Sequence, residues 1–254
     1  MAKEYAVYPF EHMNITQRYN QGNHIPHWKG SKNYSDKPWD EACKDSGKSY
    51  FVPQNDFKVE EVIGLGNNIT NTVRLISVNK LTMPNGKTDY LKLTLTHMEE
   101  SNLKQVKKGQ ILKKGTKLLL EGKDGVATGN HFHITANTGK YYGLLKNSNG
   151  SWCYTYAKSL LPEQAFYLDS KFTKLVNKNG ITFKNKPVIT VNYYKKVSSK
   201  YTSLVDALKS IGVNSSFATR KKIASKNNIK AYIGLASQNN KMLDLLKKGK
   251  LIKI

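Results

Sequence analysis

Cysteine is nearly absent from this 254-residue chain. Cys43 and Cys153 are the only two, far apart and without C-x-x-C spacing, which excludes a disulfide framework and leaves both as ordinary thiols. Acidic residues are also scarce. Eighteen Asp and Glu face 41 Lys and Arg, a net charge of +23, which is too basic for an indifferent surface and implies an anionic partner: nucleic acid, membrane headgroups or an acidic polymer such as a bacterial cell wall. Long apolar runs are missing. "MAKEYAVYPFEHMNITQRYN" has no stretch of signal-peptide length and nothing elsewhere approaches a membrane span, so the expectation is a cytosolic product without membrane insertion, whose export needs help. "GKDGVATGN" lacks the G-K-[ST] ending that phosphate binding needs, so its glycines read as turns. No G-x-S-x-G marks a serine hydrolase. No helix-turn-helix, zinc-finger or aromatic RNA-binding motif is found, and an anionic wall accounts for the charge without nucleic acid.

What is present falls into two patterns. Up to about residue 185 the chain alternates in short segments punctuated by Gly and Asn. "TNTVRLISVNKLTM", "PNGK" and "TDYLKLTLTH" form a β-hairpin signal, with Asn85-Gly86 supplying the positive φ angles of a tight turn. In its second strand Leu91, Leu93, Leu95 and His97 share one face. After residue 200 the pattern turns helical: "SLVDALKSIG", "SSFATRKKIASKNN" and "SQNNKMLDLLKKG" each begin with Ser and carry an apolar stripe. The charge follows the same division, with a net of +13 over residues 186–254 against +10 over the first 185. The reading is a mostly β domain at 1–185, a linker at 186–200 and a small α-helical module at 201–254.

The histidines carry the chemistry. In "TGNHFHITAN" His131 and His133 sit at i and i+2, so in an extended strand they face one way while Phe132 and Ile134 face the other. "GNHIPHWKGSKNYSDKPWDEA" adds His24, His27, Asp36 and Asp40. His24 or His27 with a carboxylate, plus one H-x-H histidine, gives the three protein ligands of a catalytic zinc site. His97 and the remaining H-x-H histidine are then free to hold water and stabilise an oxyanion.

"VKKGQILKKGTKLLLEGKDGVATGNHFHI" resembles the signature of the lysostaphin-type zinc endopeptidases, a glycine-punctuated stretch closing on H-x-H, and "LTLTHM" resembles the strand-end histidine before it. "NITQRYNQGNHIPHWKG" with "PWDEA" is similar to the branch found in phage lysins, and with "LLPEQAFYLDSKFTKL" the similarity covers most of residues 10–185. The resemblance implies a mostly antiparallel β-sheet with a zinc groove, and cleavage in the peptide part of peptidoglycan. By position it implies His24, Asp40 and His133 as zinc ligands and His97 and His131 as the catalytic histidines. The chain departs from the commoner pattern in placing Asp40 sixteen positions after His24, with His27 and Asp36 between them. His24 is preferred to His27, and both remain open as the first ligand. A non-catalytic, wall-binding relative is expected to have lost one of the five positions, and here all five are filled.

The tail "SLVDALKSIGVNSSFATRKKIASKNNIKAYIGLASQNNKMLDLLKKGKL" is similar to small C-terminal modules that anchor phage lysins to Gram-positive walls. About 50 residues cannot easily host a catalytic cleft, but a basic surface can hold an anionic wall polymer. Tyr201, Phe217 and Tyr232 are available to stack on sugars or to fill the small core. Together these readings imply a zinc endolysin made in the host cytoplasm, acting on peptidoglycan after release.

Overall fold

The computed structural model describes residues 3–24, 37–43, 48–66, 69–146, 152–188 and 191–254. His27 and Asp36 lie outside the described residues. Two compact units divide the chain between Pro187 and Val188.

The first unit, Glu4–Pro187, is built from short alternating strands: β1 (His12–Gln17), β2 (Trp39–Glu41), β3 (Phe57–Ile63), β4 (Thr72–Ser77), β5 (Lys92–Thr96), β6 (Ile111–Leu112), β7 (Phe132–Asn137), β8 (Tyr141–Lys146), β9 (Trp152–Tyr156), β10 (Ser159–Leu160) and β11 (Lys174–Asn177). The main sheet runs β11-β1-β2-β7-β5-β4-β3-β6, with β10 added on β7. It is mixed rather than purely antiparallel, because β1 and β11 pair in parallel. The connection between them spans most of the unit, and parallel neighbours need such a long crossover.

Alternation gives the sheet two unlike faces. Phe132, Ile134 and Ala136 of β7, Leu93 and Leu95 of β5, and Val73 and Leu75 of β4 are buried in one apolar core with Phe57, Val59 and Trp39. The opposite face carries Thr135 of β7, Thr94 and Thr96 of β5, and Thr72 and Arg74 of β4, in register across three strands. The β8–β9 hairpin covers part of that polar face: the Tyr156 hydroxyl bonds Thr94 Oγ1, and the Arg74 guanidinium lies 3.7 Å from the centre of the Tyr141 ring. The turn expected at Asn85-Gly86 forms, but only Gly86 adopts positive φ (85°), and its N–H donates to the Met83 carbonyl.

The second unit, Val188–Ile254, holds α1 (Leu204–Ser210), α2 (Phe217–Lys226) and α3 (Ala236–Lys247). Ser203 and Ser216 cap the first two helices by accepting from Asp206 N and Thr219 N, which satisfies an otherwise orphaned amide at each N-terminus. Leu204, Leu208, Ile223, Met242, Leu243 and Leu246 form the core. The stretch expected as a linker, 186–200, divides between the units. Lys186 hydrogen-bonds back to Leu168 and Asp169, whereas Tyr194 and Val197 are buried in the helical core. Their apolar side chains find cover there, which a free linker would not provide. No helix among the described residues is long and apolar enough to cross a membrane.

Candidate metal centre

β2 pairs on one edge with β1 and on the other with β7, which sets Asp40 directly opposite His133. His24 closes a 3-10 turn, Gly22–His24, whose amide bonds Gln21 O at 2.8 Å. The side chain of Gln21 ties that turn to Asn179, at the far end of the unit's sequence.

These elements bring three donor atoms together. His24 Nε2 lies 3.2 Å from His133 Nδ1 and 3.2 Å from Asp40 Oδ1, and His133 Nδ1 lies 3.2 Å from the same carboxylate oxygen. Three converging electron-pair donors repel unless a proton or a cation sits among them. The spacing matches a cation, because ligands at about 2.0–2.1 Å in a tetrahedral zinc site stand roughly 3.3 Å apart. Two imidazoles and one carboxylate form a donor set that zinc accepts. His24 is buried, and its second ring nitrogen, Nδ1, has no hydrogen-bond partner among the described residues. Burial by itself would raise the Asp40 carboxyl, but the hydrogen bonds from His133 and His24 outweigh it and hold the group well below the usual carboxylate range.

Two more histidines border this triangle. The His97 ring is centred 4.7 Å from that of His131 and 5.9 Å from that of His133. His131 Nε2 stands 3.7 Å from Asp40 Oδ1. His97 Nδ1 donates to the Asp124 carbonyl at 2.7 Å and His131 Nδ1 to the Gly129 carbonyl at 2.9 Å. A carbonyl only accepts, so both rings carry their proton on Nδ1 and, when neutral, present the lone pair of Nε2. Burial lowers His97 to about 4, keeping it neutral at ordinary pH.

The structure thus brings all five residues named from the sequence, His24, Asp40, His133, His97 and His131, into one cluster. His97 arrives by an unexpected route. Strict alternation would put it on the face of Leu93 and Leu95, inside the apolar core. Its φ of 69° ends β5 at Thr96 and turns the ring to the polar side, a left-handed conformation that non-glycine residues adopt at a cost of about 1–3 kcal/mol.

Sequence reasoning also missed what holds the cluster. Gly122 is a close-approach residue rather than a turn: a Cβ there would come within 2.7 Å of the His97 carbonyl oxygen, while Gly122 O accepts from His131 N at 2.9 Å. Only glycine lets these two histidine-bearing segments meet. Beside Asp40, Glu41 is fully buried and accepts from the Tyr8 hydroxyl and, at 2.7 Å, from Asn14 N. Glu121, also fully buried, accepts from Cys43 N. Burial pushes Glu41 up to about 8 and Glu121 up to about 7. The D-E pair in "PWDEA" was the one sequence signal pointing to Glu41, and Glu121 had none. Cys43 keeps a free thiol.

No family model and no curated protein matches the chain. Among solved structures it is similar to a zinc-containing peptidase from Vibrio cholerae, at 18% identity and a TM-score of 0.32, over 63% of this chain and 38% of that one. It is also similar to a variant catalytic domain of the prophage-encoded M23 protein EnpA from Enterococcus faecalis, at 18% identity and a TM-score of 0.31, over 59% of this chain and 92% of that one. Likenesses at these scores carry no conclusion about the reaction, which has to come from the residues themselves.

Proposed function

We propose that the chain is a zinc-dependent endopeptidase that hydrolyses peptide bonds of peptidoglycan, in the manner of a phage endolysin. The observation that carries this reading is the 3.2 Å donor triangle of His24, Asp40 and His133, bordered by two histidines whose Nδ1 protons are committed to backbone carbonyls. The sequence resemblance and the +23 charge supply the substrate class, an anionic wall.

His24, Asp40 and His133 would hold the ion, and zinc, when bound, supplies a Lewis acid that polarises a peptide carbonyl and acidifies water. His97 and His131 then act as the proton carriers. The Nε2 lone pair of one ring takes a proton as the water oxygen bonds the carbonyl carbon. The same Nε2–H then delivers that proton to the departing amine nitrogen as the C–N bond breaks. Burial of His97 favours the neutral, accepting form before attack. The short backbone carbonyl contacts keep both rings from turning their Nδ1 side to the substrate.

Purified protein incubated with peptidoglycan should release fragments with new amino and carboxyl termini by mass spectrometry, identifying the bond. It should contain one zinc per chain and lose activity to a strong chelator. Active protein free of transition metal by elemental analysis would overturn the reading.

A further inference from the structure

Outside the metal centre, an exposed apolar surface lies on the helical unit. The segment joining α2 to α3 exposes Ile233 (69%) and Leu235 (53%), and Phe217 on α2 is 48% exposed beside them. Isolated exposed apolar residues are ordinary, but three on one short loop and the helix start beside it are not. Phe217 packs on Tyr232 with ring centres 5.6 Å apart, and a Cβ on Gly234 would stand 3.2 Å from the Phe217 ring, so Phe217 lies against the backbone of the loop that carries Ile233 and Leu235.

The segment is also braced. Gln238 Oε1 accepts from Ile233 N at 3.0 Å and Leu235 N at 3.3 Å, and its Nε2 donates to Ala231 O at 3.0 Å. Asn239 Nδ2 donates to Gly234 O at 3.0 Å. Two consecutive side chains in the first turn of α3 therefore fix the loop from below. A loop that spends this many hydrogen bonds to hold apolar side chains in water loses little entropy when it docks, which is how preorganised contact surfaces work.

The chemistry around the patch is cationic. Arg220 Nε donates to Ser215 O, and its Nη1 donates to the Tyr232 hydroxyl and to Asn239 Oδ1 at 3.0 and 3.1 Å. All three acceptors are neutral, and among the described residues no carboxylate pairs with this guanidinium. Its charge is fixed but uncompensated. Lys230 is exposed at the start of the loop. Over residues 188–254 the net charge is +12, with Asp206 and Asp244 the only acids.

We propose that the Lys230–Leu235 loop, with Phe217 and Arg220, is the surface by which the helical unit grips an anionic wall glycan. Sugar faces pack on Phe217 and Ile233, while the polymer's acidic groups bond Arg220 and Lys230. Aromatic rings stack on the apolar faces of sugars, and a guanidinium forks onto phosphate or carboxylate oxygens. This rests on the reading of the chain as a wall-acting peptidase.

The test uses the full chain and the double variant Phe217→Ala, Ile233→Ser, with helical circular dichroism as the check that loss of the Phe217–Tyr232 contact leaves the helical unit folded. Sedimentation is measured with purified Gram-positive walls, with the same walls stripped of anionic polymer by acid, and with vesicles of acidic phospholipid. Hydrolysis of soluble peptidoglycan fragments is followed in parallel. Native protein should pellet with untreated walls, much less with stripped walls or vesicles, and the variant should bind untreated walls about tenfold more weakly, the scale of losing an anchor side chain. Its helical circular dichroism and soluble-substrate turnover should be unchanged. Equal wall binding by the variant, equal binding of stripped walls or binding to vesicles instead would each overturn the inference. Normal wall binding without cleavage of soluble fragments would instead overturn the peptidase reading and leave this surface standing.

Discussion

The two units treat ionisable groups in opposite ways. In Glu4–Pro187, Glu41, Glu121 and Tyr8 are buried, and His24, Asp40 and His97 line a largely enclosed cluster. In Val188–Ile254 the core is leucine, isoleucine, alanine, methionine and Val197 with Tyr194 and Tyr232, and the lysines stand on its surface. Burying a charge costs several kcal/mol unless hydrogen bonds or opposite charge compensate, so the first unit has accepted that cost where the second has not. Such an arrangement is what positioned proton transfer and metal binding need. A surface set of like charges around a largely apolar core suits long-range attraction to a polyanion, which is the property the proposed wall attachment would draw on.

The largest effects should separate ligands from proton carriers inside the first unit. His133→Ala is expected to abolish both zinc content and cleavage. His97→Ala should keep most of the zinc and lose roughly 10²–10⁴-fold in turnover, the usual contribution of a positioned acid–base group. Elemental analysis beside a soluble-fragment assay reads both. Turnover of His97→Ala at the native rate would remove it from the reaction.

A smaller effect should separate the units from each other. A chain ending at Pro187 keeps every residue of the metal cluster and the whole first core. It is expected to hold zinc and cleave soluble fragments at the full rate, while acting on intact walls about tenfold or more less well, because the tether that raises local substrate concentration is gone. Unchanged action on intact walls would show that the basic unit contributes no attachment.

Much of this organisation was legible because it is periodic. The alternation in "KLTLT" and "FHITAN" separates a threonine and histidine face from a leucine and phenylalanine face, and the first two helices follow serine caps and apolar stripes, whereas α3 starts after Leu235 and leaves Ser237 inside its first turn. The five clustered residues could be named because motif order survives in one dimension. What escaped depends on contacts between distant segments. The parallel pairing of β1 with β11 joins the two ends of the unit. Gly122 is required by the backbone of His97–Glu99, which nothing in "EGKDG" announces. Glu41 sits in the core only because Tyr8 and Asn14 N arrive from β1 and the segment before it to meet its carboxylate. The stretch 191–200 looks exposed until Tyr194 bonds Leu251 and its ring is buried.

The smallest effect sharpens the contrast through pH. Glu121 is fully buried and burial raises its folded pKa to about 7 from an ordinary value of 4.5. A carboxyl whose folded pKa is raised binds its proton more tightly in the native state. Its contribution to stability is therefore fully present below about pH 4.5, and it is lost as pH rises toward 7, where the buried group must ionise. Glu121→Gln keeps the shape and the N–H acceptor offered to Cys43 but removes the ionisation. The difference in melting temperature between variant and native protein should therefore shift in the variant's favour as pH rises from 4.5 to 7, by a few degrees, and level off above that. The core of the helical unit holds no carboxyl group among the described residues, so this trend belongs to the β unit. If Glu121→Gln and native protein kept the same difference in melting temperature from pH 4.5 to 7, Glu121 would not act as a buried acid, and the contrast between the units would reduce to one of surface charge.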